Sequence, residues 1–399
     1  MTTASATVSR WTRLFVVASL GWFVCWQAAA VAGAGRRATV TLGLYGFVLH
    51  TVFGKGYALV PSYFDRRLAV PRAPAVHLPL ALAGTGVLAA TAIGVVPAGW
   101  HAIGAGLWAL GCLVFVGTLG WSVRDNLTGR ETGTTDAKSD RRGVDRLANA
   151  FVPVAAGYLL VAALLPVART LKLVGASVPA AGPAHSHLLA AGAAALLLFA
   201  VGFRLLPRFL VAAPRPPLVA GVLAAGALGP VALASSFGAG RLFRLGAGLE
   251  AAALVGFAVA YADMLARSDR RRIGLVVLLA AAVAAAGVAA LGLHMAWGGV
   301  TPPVADAHTR LALLGFLGLA VVGVSYQFYP PAIASVRGVG DRTAAISVAL
   351  VVAGVGVETG GTLAGVPVSA ALGRWLALFG AVGHATVLLA VFWTRRRGR

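Results

Sequence analysis

The chain has 399 residues, 59% of them hydrophobic and 11% charged, with a mean hydropathy of +0.86; a soluble domain carries about a quarter charged residues. A soluble chain of this length would need roughly two or three cores wrapped in polar surface, and this composition excludes that. The net charge of +21 would suggest nucleic acid in a soluble protein. In a chain this apolar it marks loops on the cytoplasmic side of a bilayer instead, so lipid is the expected partner and nucleic acid is not.

About 20 apolar residues are needed to cross the hydrocarbon, and Arg, Pro and Gly punctuation separates twelve such stretches. All are expected to be helices, because hydrocarbon offers no partner to an open backbone. The first, 11–34, is longer than a signal-peptide core and is followed by Arg36-Arg37, so it reads as a retained span. Spans two to four follow at 38–62, 75–96 and 100–122. A polar stretch rich in Gly, Thr and Asp, Arg124 to Arg146, then reads as a flexible cytoplasmic loop at 123–146. Spans five to eight lie at 147–168, 184–206, 217–237 and 245–266, and spans nine to twelve at 273–297, 307–331, 343–364 and 372–394. The expectation is an all-α polytopic membrane protein, one transmembrane domain over 1–399, with three four-helix units in a pseudo-threefold bundle.

With both termini in the cytoplasm, 23 of the 33 cations fall in inner segments and seven in outer ones. That bias predicts a multi-pass protein of the cell membrane with cytoplasmic N- and C-termini. Lys55, Arg204 and Arg310 lie within spans. Snorkelling to the headgroups is the plain reading of Lys55 and Arg204. Glu250 in span eight and Glu358 in span eleven are carboxylates in hydrocarbon, which suggests a proton path. Cys25 and Cys112 sit in apolar runs and form no haem-attachment motif, so any cofactor is held non-covalently.

The sequence repeats itself. Residues 184–207 (AHSHLLAAGAAALLLFAVGFRLLP) align without a gap on 307–330 (AHTRLALLGFLGLAVVGVSYQFYP), and a weaker copy at 38–61 keeps Gly46, Gly54, Gly56, Tyr57 and Pro61 in register. These are spans two, six and ten. The terminal proline is expected to end each helix.

Of eight histidines, His101, His185, His187, His294 and His308 fall at outer helix ends, His50 and His384 in mid-span, and His77 at the inner face. Residues two apart on a helix project about 200° from each other, so His185 and His187 face different clefts. Threefold equivalence turns His185 toward span two and sets His187 opposite His308. Two imidazoles across a slot lined by small residues suit a six-coordinate haem iron better than a smaller metal ion.

His185-Ser186-His187 followed by Gly192, Gly202-Phe203 and Pro207, with half the pattern again in His308, Gly315, Tyr326 and Pro330, resembles the haem–copper oxidase subunit I superfamily. Within it the likeness is to nitric oxide reductase subunits and NnrS proteins. The resemblance implies a haem b held by His187 and His308, with His185 and His50 as further candidate ligands and Arg310 on a haem propionate. It also implies electron transfer or a nitric oxide-related redox role and, if an enzyme, an oxidoreductase, with an electron-donor protein or respiratory subunit as partner. The chain has no His-His pair, 208–244 contains no His, and Thr39 and Thr41 stand where the family places the outer His of span two. An oxidase-type copper centre is therefore not expected. The competing class is a transporter or permease whose histidines line a substrate or metal path. A third is an assembly partner of a respiratory complex.

Overall fold

The computed structural model describes residues 3–132, 141–175, 177–179, 181–238 and 240–397. They form twelve helices in chain order: α1 Thr3–Val31, α2 36–63, α3 Ala73–Ala92, α4 His101–Val123, α5 Arg142–Thr170, α6 Gly182–Leu210, α7 Pro216–Ser235, α8 Gly240–Ala266, α9 Ile273–Gly298, α10 Pro302–Phe328, α11 Asp341–Leu363 and α12 Pro367–Arg397. Eleven helices among the described residues are long and apolar enough to cross a membrane. The remaining one, α2, is as long but carries His50, Lys55 and three tyrosines. The protein is an all-helical, multi-pass membrane protein.

Proline and glycine set the helix ends for local reasons. α6, α7 and α10 each place a proline in the first turn, where the missing N–H costs nothing. α3 and α11 end on Gly94 (φ +78°) and Gly365 (φ +68°), which take the left-handed turn while Val95 and Val366 donate back to the Ala90 and Gly361 carbonyls at 2.9 and 2.8 Å. The terminal prolines of α2 and α6 do not end their helices as expected: Pro61 and Pro207 lie inside them, which run on to Tyr63 and Leu210. A proline near a C-terminus removes one hydrogen bond, and the residues after it can still donate.

By packing, the chain divides into two compact units. One comprises Met1–Val16 with Leu49–Ser268, the other Val17–Val48 with Asp269–Arg399. In each, helical hairpins join through bare backbone. A Cβ on Gly84 of α3 would strike the Trp108 amide of α4 at 2.6 Å, one on Gly229 of α7 the Glu250 amide of α8 at 2.9 Å, and one on Gly354 of α11 the Ala377 amide of α12 at 2.6 Å. With no hydrophobic gain available between helices in lipid, close approach and dispersion hold such pairs. The second unit also ties the start of α2 to α10 through Arg36 and Asp306 at 2.6 Å.

The repeat seen in the sequence has a structural counterpart. α2, α6 and α10 each widen into eight residues of π-helix, at Thr41–Val48, Leu188–Ala195 and Leu311–Gly318. The last two coincide in the gap-free alignment, and the first lies one residue away. π-Helix is rare and mostly single-turn, so three copies at one register mark a shared element. Each contains the equivalent glycine, and each glycine is roofed by a neighbour. A Cβ would lie 2.8 Å from Trp22 at Gly46, 2.5 Å from the Tyr158 ring at Gly192 and 2.8 Å from Leu311 at Gly315. The order of one π-bearing helix followed by a glycine-zipped hairpin recurs three times, in α1–α4, α5–α8 and α9–α12.

The Tyr158 ring cannot retreat easily, because its hydroxyl donates to the Ala227 carbonyl at 2.5 Å. Gly192→Ala is therefore expected to lower stability by about 1–3 kcal/mol. Gly106→Ala, with open space around it, is expected to be neutral or slightly stabilising. Thermal unfolding of the two detergent-purified variants distinguishes them; equal midpoints would remove the close-packing account of the π segment.

Candidate functional site

Polar side chains inside the helices gather at four places, two near the helix ends that carry the histidine repeat. On α6 the two histidines point different ways, as their spacing requires. His185 is buried, and its Nε2 lies 2.7 Å from the Ala162 carbonyl of α5. The expected turn toward span two is thus corrected: the ring is engaged by span five, whose Pro166 leaves the Ala162 carbonyl without its intrahelical donor. His187 turns to span eight, where its Nδ1 meets Glu250 Oε2 at 2.9 Å beside the Phe237 ring. The other oxygen, Glu250 Oε1, is buried with no hydrogen-bond partner. A carboxylate on Nδ1 holds the proton there and fixes the orientation of the ring.

At the equivalent place in the second unit, Arg310 occupies the register of His187. Its Nε donates to Glu358 Oε2 at 2.6 Å and its Nη2 to Gln27 Oε1 at 2.5 Å, and its guanidinium lies 5.1 Å from the Trp26 ring centroid. Arg374 reaches the other Glu358 oxygen at 3.1 Å. The sequence reading of Arg310 as a propionate partner meets a side chain already paired within the protein, although Nη1 stays buried without a partner. His308 packs against α9, where a Cβ on Gly292 would lie 3.4 Å from its ring. Thr39 and Thr41 turn back onto carbonyls of their own helix.

The third place is aromatic. His50 and His77 are both fully buried in the first unit, with Phe15 and Phe53 packed against both rings. His77, in the first turns of α3, is turned inward: its Nδ1 takes the Tyr57 hydroxyl at 3.0 Å. Tyr57, Phe203 and Tyr326 are equivalent in the repeat. Tyr326 meets buried His384 edge-on at 5.0 Å, while Phe203 meets Phe257 at 5.7 Å. Two modules thus hold a tyrosine–histidine contact where the middle one holds two phenylalanines.

The fourth lies at the arginine-rich end. Arg204 does not snorkel: it is 5% exposed, with Asp145 at 3.2 Å and the carbonyl of Tyr63 at 2.6 Å. Arg208 reaches the same Asp145 at 3.0 Å. The polar stretch assigned to a flexible loop contributes here. α5 already begins at Arg142, and Asn126 and Thr132 are buried with their side chains on the Phe64 and Tyr63 carbonyls. Residues 133–140 of that expected loop lie outside the described ones. Sequence reasoning missed Asp145, Asn149 and Gln27. The i, i+4 spacing of Asp145 and Asn149, matched by Arg204 and Arg208, was the available signal.

No group of three or more His, Cys, Asp or Glu able to hold a metal ion occurs among the described residues.

Glu358 joins two arginines, so removing its charge strands Arg310 in a dry setting. Glu358→Gln is expected to cost about 3–5 kcal/mol, and the Arg310→Met/Glu358→Leu pair is expected to recover most of it. Unfolding midpoints of the two variants test this; a double variant no better than the single one argues against the pairing. No protein-family model and no curated protein matches this chain.

Proposed function

We propose that the chain is a haem-binding protein of the cell membrane with an electron-transfer or nitric oxide-related redox role, holding a b-type haem through His187. The observation that carries this reading is the contact between His187 Nδ1 and Glu250 at 2.9 Å. Ligating histidines commonly give their other N–H to a carboxylate, which fixes the ring and its tautomer. A half-satisfied buried carboxylate is costly on its own, and a neighbouring cationic centre would repay it. Bound haem supplies one-electron exchange at iron. Glu250 holds the proton at Nδ1 and orients the imidazole, and the apolar helix faces exclude water. His185 is a poorer ligand, because its Nε2 is already on a carbonyl. The cation bias supports cytoplasmic termini, and an electron-donor protein or respiratory subunit is the partner.

The buried pairs Arg310–Glu358 and Arg204–Asp145 favour one second reading, a permease in which the same charges and histidines line a path. An absorption spectrum of purified protein separates the two. A Soret band is expected in the wild type and should be lost in His187→Ala. In Glu250→Gln it should persist with haem affinity about 10–100-fold lower. A stable, colourless wild type would overturn the haem reading and leave the path.

A further inference from the structure

The arginine-rich end of the first unit holds a cavity of about 300 Å³, lined in part by Ser62, Tyr63, Asp65, Thr132, Arg204 and Arg208. Neither the histidine site nor the haem reading uses it. Its size is at the lower edge of small-molecule sites, roughly 300–1,000 Å³.

The local chain builds it in three steps. α2 stops at Tyr63, and Asp65 takes a left-handed turn (φ +50°) that exposes the Tyr63 carbonyl. That one oxygen receives Thr132 Oγ1 at 2.9 Å, Asn149 Nδ2 at 2.8 Å and Arg204 Nη1 at 2.6 Å. A carbonyl offers two lone pairs, so it is saturated and takes no further donor. Arg204 then spends Nη2 on Asp145 and lies with its guanidinium 4.2 Å from the Tyr63 ring centroid.

Two polar groups are left over. Arg204 Nε and the Tyr63 hydroxyl are buried with no hydrogen-bond partner, on residues 5% and 6% exposed that both line the cavity. Buried donors are almost always satisfied, and leaving one unmade costs about 1–3 kcal/mol. The charge around them has a sign. Arg204 and Arg208 share the single carboxylate of Asp145, so this trio keeps one positive charge. Asp65 is exposed, where water and salt screen it. A pair of orphaned donors beside an uncompensated guanidinium charge matches an acceptor-only, negatively charged group.

We infer that this cavity is a binding site for a small oxyanion, a phosphate or phosphate-bearing headgroup, held by Arg204 Nε, the Tyr63 hydroxyl and Arg208. Arg204 also supports the fold, so it is the wrong residue to change. Tyr63→Phe deletes only an unpartnered hydroxyl, and Arg208→Gln removes a half-exposed charge. The full-length protein, purified in detergent and stripped of lipid, is titrated calorimetrically with inorganic phosphate. Phospholipids retained before stripping are identified by mass spectrometry. Saturable phosphate binding, weakened about tenfold in Tyr63→Phe at an unchanged unfolding midpoint and abolished in Arg208→Gln, supports a site for a free anion. Failure of phosphate to bind, with an anionic phospholipid retained by the wild type and lost from Tyr63→Phe, supports a headgroup. Binding of neither, or binding that Tyr63→Phe leaves unchanged, overturns the site and leaves a water-filled recess.

Discussion

Inside a bilayer a polar side chain has no water to fall back on, so it pairs with another protein group or pays most of its desolvation cost. That constraint explains why the charged side chains buried in this chain occur in small paired sets. Asp145 accepts Arg204 and Arg208, Glu358 accepts Arg310 and Arg374, and Glu250 takes His187. The Asp145 and Glu358 sets join consecutive helices, and the Glu250–His187 pair joins α8 to α6 across α7.

The three π segments and the three hairpins show how this is achieved. A π turn widens the helix and shifts the phase of every side chain after it, so the histidine or arginine before the segment and the tyrosine or phenylalanine after it are aimed independently. The glycine within the segment accepts the ring or branched side chain that fills the gap. The hairpin that follows brings a carboxylate within reach, on its second helix for Glu250 and on its first for Glu358. One architectural unit, used three times, therefore carries a His–Glu pair in one copy, an Arg–Glu–Arg set in another and a Tyr57–His77 contact in the third.

Each of the three sets is left with buried unsatisfied atoms: Arg310 Nη1 and Gln27 Nε2 in one, Glu250 Oε1 in another, and Arg204 Nε with the Tyr63 hydroxyl in the third. Incomplete sets are where a ligand adds most, because it supplies hydrogen bonds that the fold leaves unmade.

Much of this was legible in the residues alone. Composition implied a membrane protein, and Arg, Pro and Gly punctuation gave twelve helices close to those observed, because hydrocarbon thickness imposes length and apolarity on each span separately. The repeat was visible because equivalent glycines and prolines answer to equivalent close contacts. The partners of the polar residues were not visible. That Arg204 stays buried, that His185 meets Ala162, that Asp145 belongs to a helix and not to a loop, and that Arg310 is held by Glu358 all depend on which helix faces which. Facing is decided by π-turn phase and glycine contact between segments distant in sequence. Span length and apolarity are local properties that a sequence states for itself; pairing is a property of two surfaces, and only their packing decides it.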